Sequence, residues 1–169
     1  SCSVNKRTTC AILMFLDINT KRGQESLAYE REMLKRIGYS FSVKLIETDK
    51  NVDAKVDGII VRNNQISGIF ESKCRNMNLM EFRKFGSWLI TFDKIMNGKK
   101  LSEMLRVPFF GFLYLIPDKL IYYWKITDEI GEFKFGFELK KTKTQKTING
   151  GEAVRTNAYL PIKYANEIT

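Results

Sequence analysis

The chain has 169 residues, 44% of them apolar, and this length and composition predict a single folded domain over 1–169. Its 28 Lys and Arg residues against 19 Asp and Glu residues give a net charge of +9, which favours a polyanionic partner. No apolar run reaches the roughly 18 residues needed to span a membrane, so we expect an intracellular, cytoplasmic protein with no membrane partner.

The sequence contains no histidine, which excludes serine-type triads, histidine general bases and HExxH zinc sites. Its three cysteines, Cys2, Cys10 and Cys74, form no CxxC pair and indicate a reducing compartment. Hydrolytic chemistry would therefore depend on carboxylates and lysines. Oxygen ligands of this kind select hard ions such as magnesium, manganese or calcium.

Hydrophobic periodicity predicts a helix, a strand, a two-stranded hairpin, a long helix, a short helix and two more strands. The predicted bounds are, in that order, Gln24–Ile37, Tyr39–Glu47, Lys55–Arg62 with Ile66–Lys73, Leu79–Met96, Leu101–Leu105, Val107–Ile116 and Leu120–Ile126. Gly38 is the predicted stop signal of the first helix. Before it, Ala11–Ile18 is compatible with either a strand or a helix.

The C-terminal part is predicted to be rich in strands. A strand over Phe133–Leu139 precedes a hairpin of Lys140–Thr147 and Glu152–Leu160, closed at Asn149–Gly151. The expected fold class is therefore α/β, with a mixed central β-sheet flanked by helices and a β-rich C-terminal extension. The core would cover about 24–126 and a basic hairpin tail about 133–163.

Two acidic residues occupy the two strands of the first predicted hairpin. If Asn63–Gln65 is the loop, Asp57 lies directly opposite Glu71, with Cβ atoms about 5 Å apart. Lys73 shares the strand face of Glu71 because side chains alternate. Carboxylates this close repel each other, so a divalent cation between them is expected. A register shifted by one residue would weaken the pairing.

A third carboxylate lies on the preceding helix. Glu30 is at the centre of its apolar stripe, between Leu27 and Leu34, and should face the sheet. Burying it without a partner would cost several kcal/mol, so we expect it to join the two acids and Lys73. Alternatively, its side chain extends to solvent or caps a neighbouring backbone group.

These residues carry a family resemblance. Asp57, Glu71 and Lys73 match the D-Xn-(D/E)-X-K signature of the PD-(D/E)XK nuclease superfamily, with Val56 where the pattern prefers Pro. The element order over Gln24–Ile116 resembles the family's α-β-β-β-α-β core, the restriction-endonuclease-like or Holliday-junction-resolvase-like fold. The resemblance implies a Mg²⁺- or Mn²⁺-dependent endonuclease that hydrolyses DNA phosphodiester bonds, in many relatives as a homodimer. It also implies a phage- or virus-encoded protein or one associated with a host nucleoid.

The resemblance also implies roles for individual residues. Asp57 and Glu71 would bind one or two metal ions, together with the backbone carbonyl of Ser72. Lys73 would orient the attacking water or stabilise charge on the phosphorus, and Glu30 would bind a second ion or its water. Some members carry a Gln or Lys on the second helix, which draws attention to Lys94.

The helical angle of Lys94 is opposite the apolar stripe of Phe85, Phe92 and Met96, and this favours an exposed side chain. For contacts to nucleic acid, the strongest candidates are basic residues of the predicted tail and Arg75, which lies two residues after the signature lysine. The candidate contacts to the DNA backbone are Arg75, Lys140, Lys141, Lys143, Lys146 and Arg155. Any one of these residues could instead be a solvated surface charge.

Two other functions remain open from the sequence. The same basic fold could bind nucleic acid without cutting it, although a pure binder gains nothing from paired acids that face a polyanion. RNA or branched junctions could be the substrate in place of duplex DNA, because composition does not distinguish them.

Overall fold

The computed structural model describes residues 21–49, 54–143 and 153–168. Within these ranges the α-helices are α1 (Lys21–Phe41), α2 (Leu79–Phe85) and α3 (Phe92–Leu105). The strands are β1 (Lys44–Glu47), β2 (Gly58–Arg62), β3 (Gln65–Arg75), β4 (Ser87–Thr91), β5 (Phe109–Leu115), β6 (Leu120–Thr127), β7 (Glu138–Lys143), β8 (Val154–Pro161) and β9 (Asn166–Ile168), with a 3₁₀ turn at Ile162–Tyr164 before β9. The predictions for Ala11–Ile18, Lys146 and the turn at Asn149–Gly151 lie outside the described residues.

The strands form two sheets. The larger has six strands in the order β1-β2-β3-β5-β6-β9, and the smaller has three in the order β4-β8-β7. β3 and β5 are parallel, whereas the other strand pairs of both sheets are antiparallel in the described residues. The predicted fold class, a mixed sheet flanked by helices with a β-rich C-terminal part, is confirmed.

Helix α1 covers one face of the large sheet. Met33 and Ile37 of its apolar stripe are buried against Phe70 of β3 and Phe112 of β5. Side chains alternate along a strand, so the even-numbered residues of β3 from Gly68 to Cys74 face α1.

Helix α3 and the small sheet cover the opposite face. Ile95 of α3 and Trp88 of β4 pack with Ile69 of β3 and Leu113 of β5 in the second apolar cluster. The odd-numbered residues of β3 from Ile69 onward, Glu71 and Lys73 among them, therefore belong to the α3 side of the sheet.

The β2–β3 hairpin has a shorter turn than predicted. Asn63 and Asn64, both with positive φ, form a two-residue turn that brings Arg62 opposite Gln65. Asn tolerates this left-handed conformation, and two such residues in sequence suit a type I′ hairpin turn. A bulge at Ser67 then shifts the register by one, so that Gly58 pairs with Phe70. Extended by one position, this register aligns Asp57 with Glu71 as predicted.

The first helix does not stop at Gly38. It continues to Phe41, and Ser42 in the left-handed conformation follows, while the N–H of Val43 donates to the Gly38 carbonyl. This six-residue closure ends the helix in the manner of a Schellman motif. The predicted strand Tyr39–Glu47 is consequently shortened to β1.

The predicted long helix over Leu79–Met96 is wrong in its middle. Asn78 and Glu81 form a capping box at the start of α2, but Gly86 ends that helix in the left-handed conformation, with φ 75°. The chain then forms β4 before α3 begins at Phe92.

The predicted short helix at Leu101–Leu105 is the end of α3. The predicted strand at Phe133 is also wrong, because Phe133 makes one isolated bridge, to Thr127, instead of beginning a strand. In the described ranges no helix is long and apolar enough to cross a membrane.

Candidate active site

Backbone hydrogen bonds hold Asp57 on both sides. Its N–H donates to the Phe70 carbonyl at 3.0 Å, and its own carbonyl accepts from the N–H (2.8 Å) and the hydroxyl (3.0 Å) of Thr48. One carboxylate oxygen, Oδ2, accepts from the Ser72 N–H at 2.9 Å. The next residue must be small, because a Cβ on Gly58 would lie 2.4 Å from the Ile46 carbonyl oxygen. Asp57 is thus fixed immediately before the first residue of β2, beside β3.

Glu71 is a buried carboxylate. Its side chain is 5% exposed, on a strand face that it shares with buried Ile69. Loss of solvation, followed by the hydrogen bond and charge of neighbouring Asp57, raises the pKa of Glu71 to about 8. The Lys94 ammonium opposes this increase. The two carboxylates therefore lie together as predicted, and one of them favours its neutral form in this environment.

Lys94 lies at this acid pair, contrary to the prediction of a solvent-exposed side chain. Its Nζ is 3.1 and 3.0 Å from the two carboxylate oxygens of Glu71 and 3.4 Å from Oδ1 of Asp57. Burial disfavours its charge, but the two carboxylates outweigh burial and raise the pKa of Lys94. The prediction failed because it continued the helical phase through Gly86, whereas α3 is a new helix with its own phase. The left-handed-compatible Gly86, followed by the β-branched and aromatic run of β4, is the signal that would have indicated the break.

A glycine one helical turn later lets α3 come close to the sheet. A Cβ on Gly98 would lie 2.2 Å from the buried ring of Phe109 on β5. Gly98 and Ile95 are both buried on the sheet-facing side of α3, and Lys94 flanks this stripe. The close approach of the helix allows the lysine side chain to reach the acids while 42% of it stays exposed.

Lys73, the signature lysine, is exposed on β3, paired with Leu113. It lies two residues beyond Glu71 and therefore on the same strand face. The structure thus offers two lysines near the acids: one in contact with both carboxylates and one exposed at the end of the strand. The catalytic role of Lys73 stays a prediction.

Glu30 is in contact with the other side of β3. Its Oε1 accepts a hydrogen bond from the Ser72 hydroxyl at 3.4 Å. Ser72 and Cys74 are even-numbered β3 residues that face α1, and after burial it is Glu30 that most raises the pKa of the Cys74 thiol. Glu30 therefore faces the sheet as predicted and connects to Asp57 through Ser72, whose N–H binds Asp57. Its role toward a metal stays a prediction, as does that of the Ser72 carbonyl.

The donor set around the acid pair suits a hard divalent ion. In the described part of the chain, no group of three or more His, Cys, Asp or Glu residues is arranged to hold a metal. Mg²⁺, however, is commonly bound through one or two carboxylates, with water and substrate phosphate as the other ligands. Asp57 and Glu71 supply two carboxylates from neighbouring strands, and both already contact one cation, the Lys94 ammonium. The residues therefore fit such an ion.

The predicted DNA-contacting residues divide into two locations. Arg75 ends β3 beside Leu115, and burial lowers its pKa. The β7–β8 hairpin extends past the end of β4, since β4 pairs only with residues 157–161 of β8. This projecting part is called the basic arm and carries three exposed cationic residues: Lys141, Lys143 and Arg155.

The basic arm projects in the direction in which β4 leads into α3. Lys141 and Lys143 alternate onto one face of it, and Arg155, paired with Thr142, lies on the other. Lys140, just before the arm, is paired with Glu138 at 3.1 Å and lies 5.0 Å from the ring centre of Tyr159. Glu138 and the Tyr159 ring therefore partly compensate the charge of Lys140.

A mixed sheet between helical layers, with paired carboxylates on adjoining strands and a lysine two residues after the second, defines a protein of the PD-(D/E)XK nuclease class. A family model described as "Phage putative PDDEXK endonuclease" matches residues 19–158. This match covers more than half of the chain, and the chain belongs to that family. Neither the curated proteins nor the solved structures compared with the chain gave a match.

Proposed function

We propose that this protein is a Mg²⁺- or Mn²⁺-dependent DNA endonuclease that hydrolyses phosphodiester bonds. Family membership supports an endonuclease that acts on nucleic acid. The observation that carries the finer proposal is the meeting of Asp57 and Glu71 around one positive charge, 3.0 to 3.4 Å from the nearest oxygen of each. Oxygen ligands in a chain without histidine favour magnesium or manganese over zinc.

Asp57 and Glu71 would hold the ion, with the Ser72 carbonyl as a further oxygen ligand. A divalent ion bound there would polarise the scissile phosphate and lower the pKa of a bound water. Asp57 presents Oδ1 to the site because the Ser72 N–H binds its other oxygen. The near-complete burial of Glu71 removes competing water from one side of the site.

Lys73 is the residue best placed to contact a phosphate that approaches from solvent, because it is exposed on the face of Glu71. We assign it the orientation of the attacking water or the stabilisation of negative charge on the phosphorus. Glu30 would act through Ser72, or bind a second ion or its water. In either role, Glu30 acts from the α1 side of β3, opposite the strand face that carries Glu71.

Affinity for DNA would come from the phosphate backbone. The net charge of +9 favours a polyanion, and the basic arm supplies a projecting surface whose cations lie on both faces. Lys140, Lys146 and Arg75 are secondary candidates for the same contacts. Cutting both strands of a duplex requires two sites, so we further propose a homodimer, which sedimentation at several protein concentrations would test.

The decisive assay is cleavage of a panel of nucleic acids with Mg²⁺, Mn²⁺ or EDTA. The panel holds supercoiled plasmid, linear duplex, a branched junction, single-stranded DNA and RNA. We expect metal-dependent cleavage of DNA, which Asp57→Asn, Glu71→Gln and Lys73→Met each reduce by about 100-fold or more. Glu129→Gln is the matched control, since it removes one exposed carboxylate that forms an ion pair with Lys125.

Each outcome separates the candidate functions. Cleavage that persists in both Asp57→Asn and Glu71→Gln would place the chemistry elsewhere and overturn the proposal. Tight binding of DNA without cleavage in either metal would favour a non-catalytic binding module. That alternative draws support from Lys94, whose ammonium contacts both carboxylates. Faster cleavage of RNA or of the junction would reassign the substrate.

A further inference from the structure

The ammonium of Lys94 lies against the carboxylate oxygens that would hold a divalent ion. It lies within 3.1 Å of both oxygens of Glu71 and 3.4 Å from Oδ1 of Asp57. A magnesium ion bound to the same oxygens would stand about 2.1 Å from each of them. Two cations cannot share that space, so the ammonium in this position and a bridging metal ion exclude each other.

The Lys94 ammonium stabilises the charged form of the acid pair when no metal is bound. The side chain of Glu71 is 5% exposed and that of Asp57 is 21% exposed, so water alone screens their mutual repulsion poorly. A buried carboxylate left without a partner is strongly destabilising. Lys94 supplies the missing charge from a different secondary-structure element, and it is not one of the signature residues of β2 and β3.

Lys94 also has a route out of the site. Its side chain is 42% exposed, and it lies in the first turn of α3, at the side of the buried stripe. The helix itself is held against β5 by the close contact at Gly98. The flexible four-carbon stem of a lysine can therefore turn toward solvent while the backbone of α3 stays in place.

We propose that Lys94 is the resident cation of the metal-free site and is displaced into solvent when the divalent ion binds. This inference rests on the proposed function, because it assumes that the acid pair is the metal site. Lys94 then stabilises the empty site and weakens metal binding by competing for the same oxygens. It is a positioning residue, and its removal affects metal affinity and metal-free stability in opposite directions.

The test compares Lys94→Met and Lys94→Gln with the wild type and with Lys100→Met, in the full chain. Lys100 is an exposed lysine of the same helix, so its variant controls for the loss of one positive charge. Titration calorimetry measures Mn²⁺ binding without DNA, and thermal unfolding in EDTA measures the metal-free protein. We expect both Lys94 variants to bind Mn²⁺ about tenfold more tightly, or about 1.4 kcal/mol, and to unfold at a lower temperature in EDTA. Lys100→Met should match the wild type in both.

A second measurement uses the wild type and does not depend on a variant that folds. Acetylation of lysines with a water-soluble reagent, located by peptide mass mapping, reports how accessible each ammonium is. We expect Mn²⁺ to increase the acetylation rate of Lys94 and to leave that of Lys100 unchanged. A rate at Lys94 that stays constant or falls as Mn²⁺ saturates the protein would overturn the displacement.

The outcomes distinguish this inference from the proposed function. If the wild type cleaves DNA with Mn²⁺ but the Lys94 variants bind the ion no more tightly, displacement is wrong and the nuclease proposal stands. If only the Lys94 variants bind Mn²⁺ and the wild type neither binds it nor cleaves, Lys94 blocks the site and the nuclease proposal fails. If no form binds Mn²⁺, both are overturned.

Discussion

The pH dependence of stability is a direct consequence of the buried carboxyl of Glu71. Its pKa rises from 4.5 in the unfolded chain to about 8 in the folded protein, chiefly through burial and then through Asp57. The folded state therefore holds this proton more tightly than the unfolded state does. The stabilisation is complete below the unfolded pKa, and it is lost as the pH rises through the folded pKa.

The size of the effect follows from the width of this window. Each pH unit between 4.5 and about 8 should remove about 1.4 kcal/mol of unfolding free energy, or about 5 kcal/mol over the whole window. Glu71→Gln is neutral in both states and lacks this loss. The difference in unfolding free energy between Glu71→Gln and the wild type should therefore shift in favour of the variant as the pH rises. The shift should total several kcal/mol between pH 4.5 and about 8.

Urea denaturation followed by tryptophan fluorescence, in EDTA at half-unit pH steps from 4.5 to 9, measures the difference between the two proteins. Titrating groups away from the acid pair affect both proteins alike, so subtraction isolates the contribution of Glu71 together with its coupling to Asp57 and Lys94. Glu129→Gln is the control, because Glu129 is exposed and its pKa is lowered by its own backbone N–H and by Lys125. A difference between Glu71→Gln and the wild type that stays constant with pH would refute the reasoning.

Three further outcomes are expected. Gly98→Ala should lower the unfolding free energy by about 1–3 kcal/mol, because its Cβ would collide with the buried Phe109 ring; urea denaturation measures this, and an unchanged midpoint would contradict the packing. Thr48→Val should cost about 1–2 kcal/mol, since its hydroxyl is within donating distance of the Val56 and Asp57 carbonyls. The same measurement should show a larger loss than Ser26→Ala, an exposed control. Replacing the three cations of the basic arm by Gln should weaken DNA binding and reduce the slope of log affinity against log salt by up to about 2.7; a slope equal to that of the wild type in fluorescence anisotropy would exclude the arm from the interface.

The acid pair could be predicted because two sequence signals agree. Alternation along two strands around a polar break predicts Asp57 opposite Glu71, and the alignment holds because the bulge at Ser67 compensates for a turn one residue shorter than predicted. The apolar stripe of the first helix likewise predicted a sheet-facing Glu30, which the structure shows in contact with Ser72. Local periodicity suffices for residues on one continuous element, whereas the alignment across a hairpin also depends on the turn and on any bulge.

Lys94 could not be placed in the same way. Its position depends on where α2 ends and α3 begins, and five residues of β4 intervene. A helical angle measured from Phe85 therefore has no meaning for α3. The pairing of β4 with the predicted C-terminal hairpin was missed for a related reason, because β4 pairs with a strand more than sixty residues later in the chain. Pairing over that separation leaves no trace in local periodicity.

The bulge at Ser67 has a consequence for how such proteins are recognised. A perfectly regular ladder after the two-residue turn would have set Asp57 against Phe70, and the extra residue corrects this by one position. A three-residue turn without a bulge would thus give the carboxylates the same alignment as the two-residue turn with the bulge. Removing Ser67 should leave the pair facing each other, whereas inserting a residue without such compensation should separate it. The fold requires the two carboxylates to lie side by side, whereas the number of residues between them can vary.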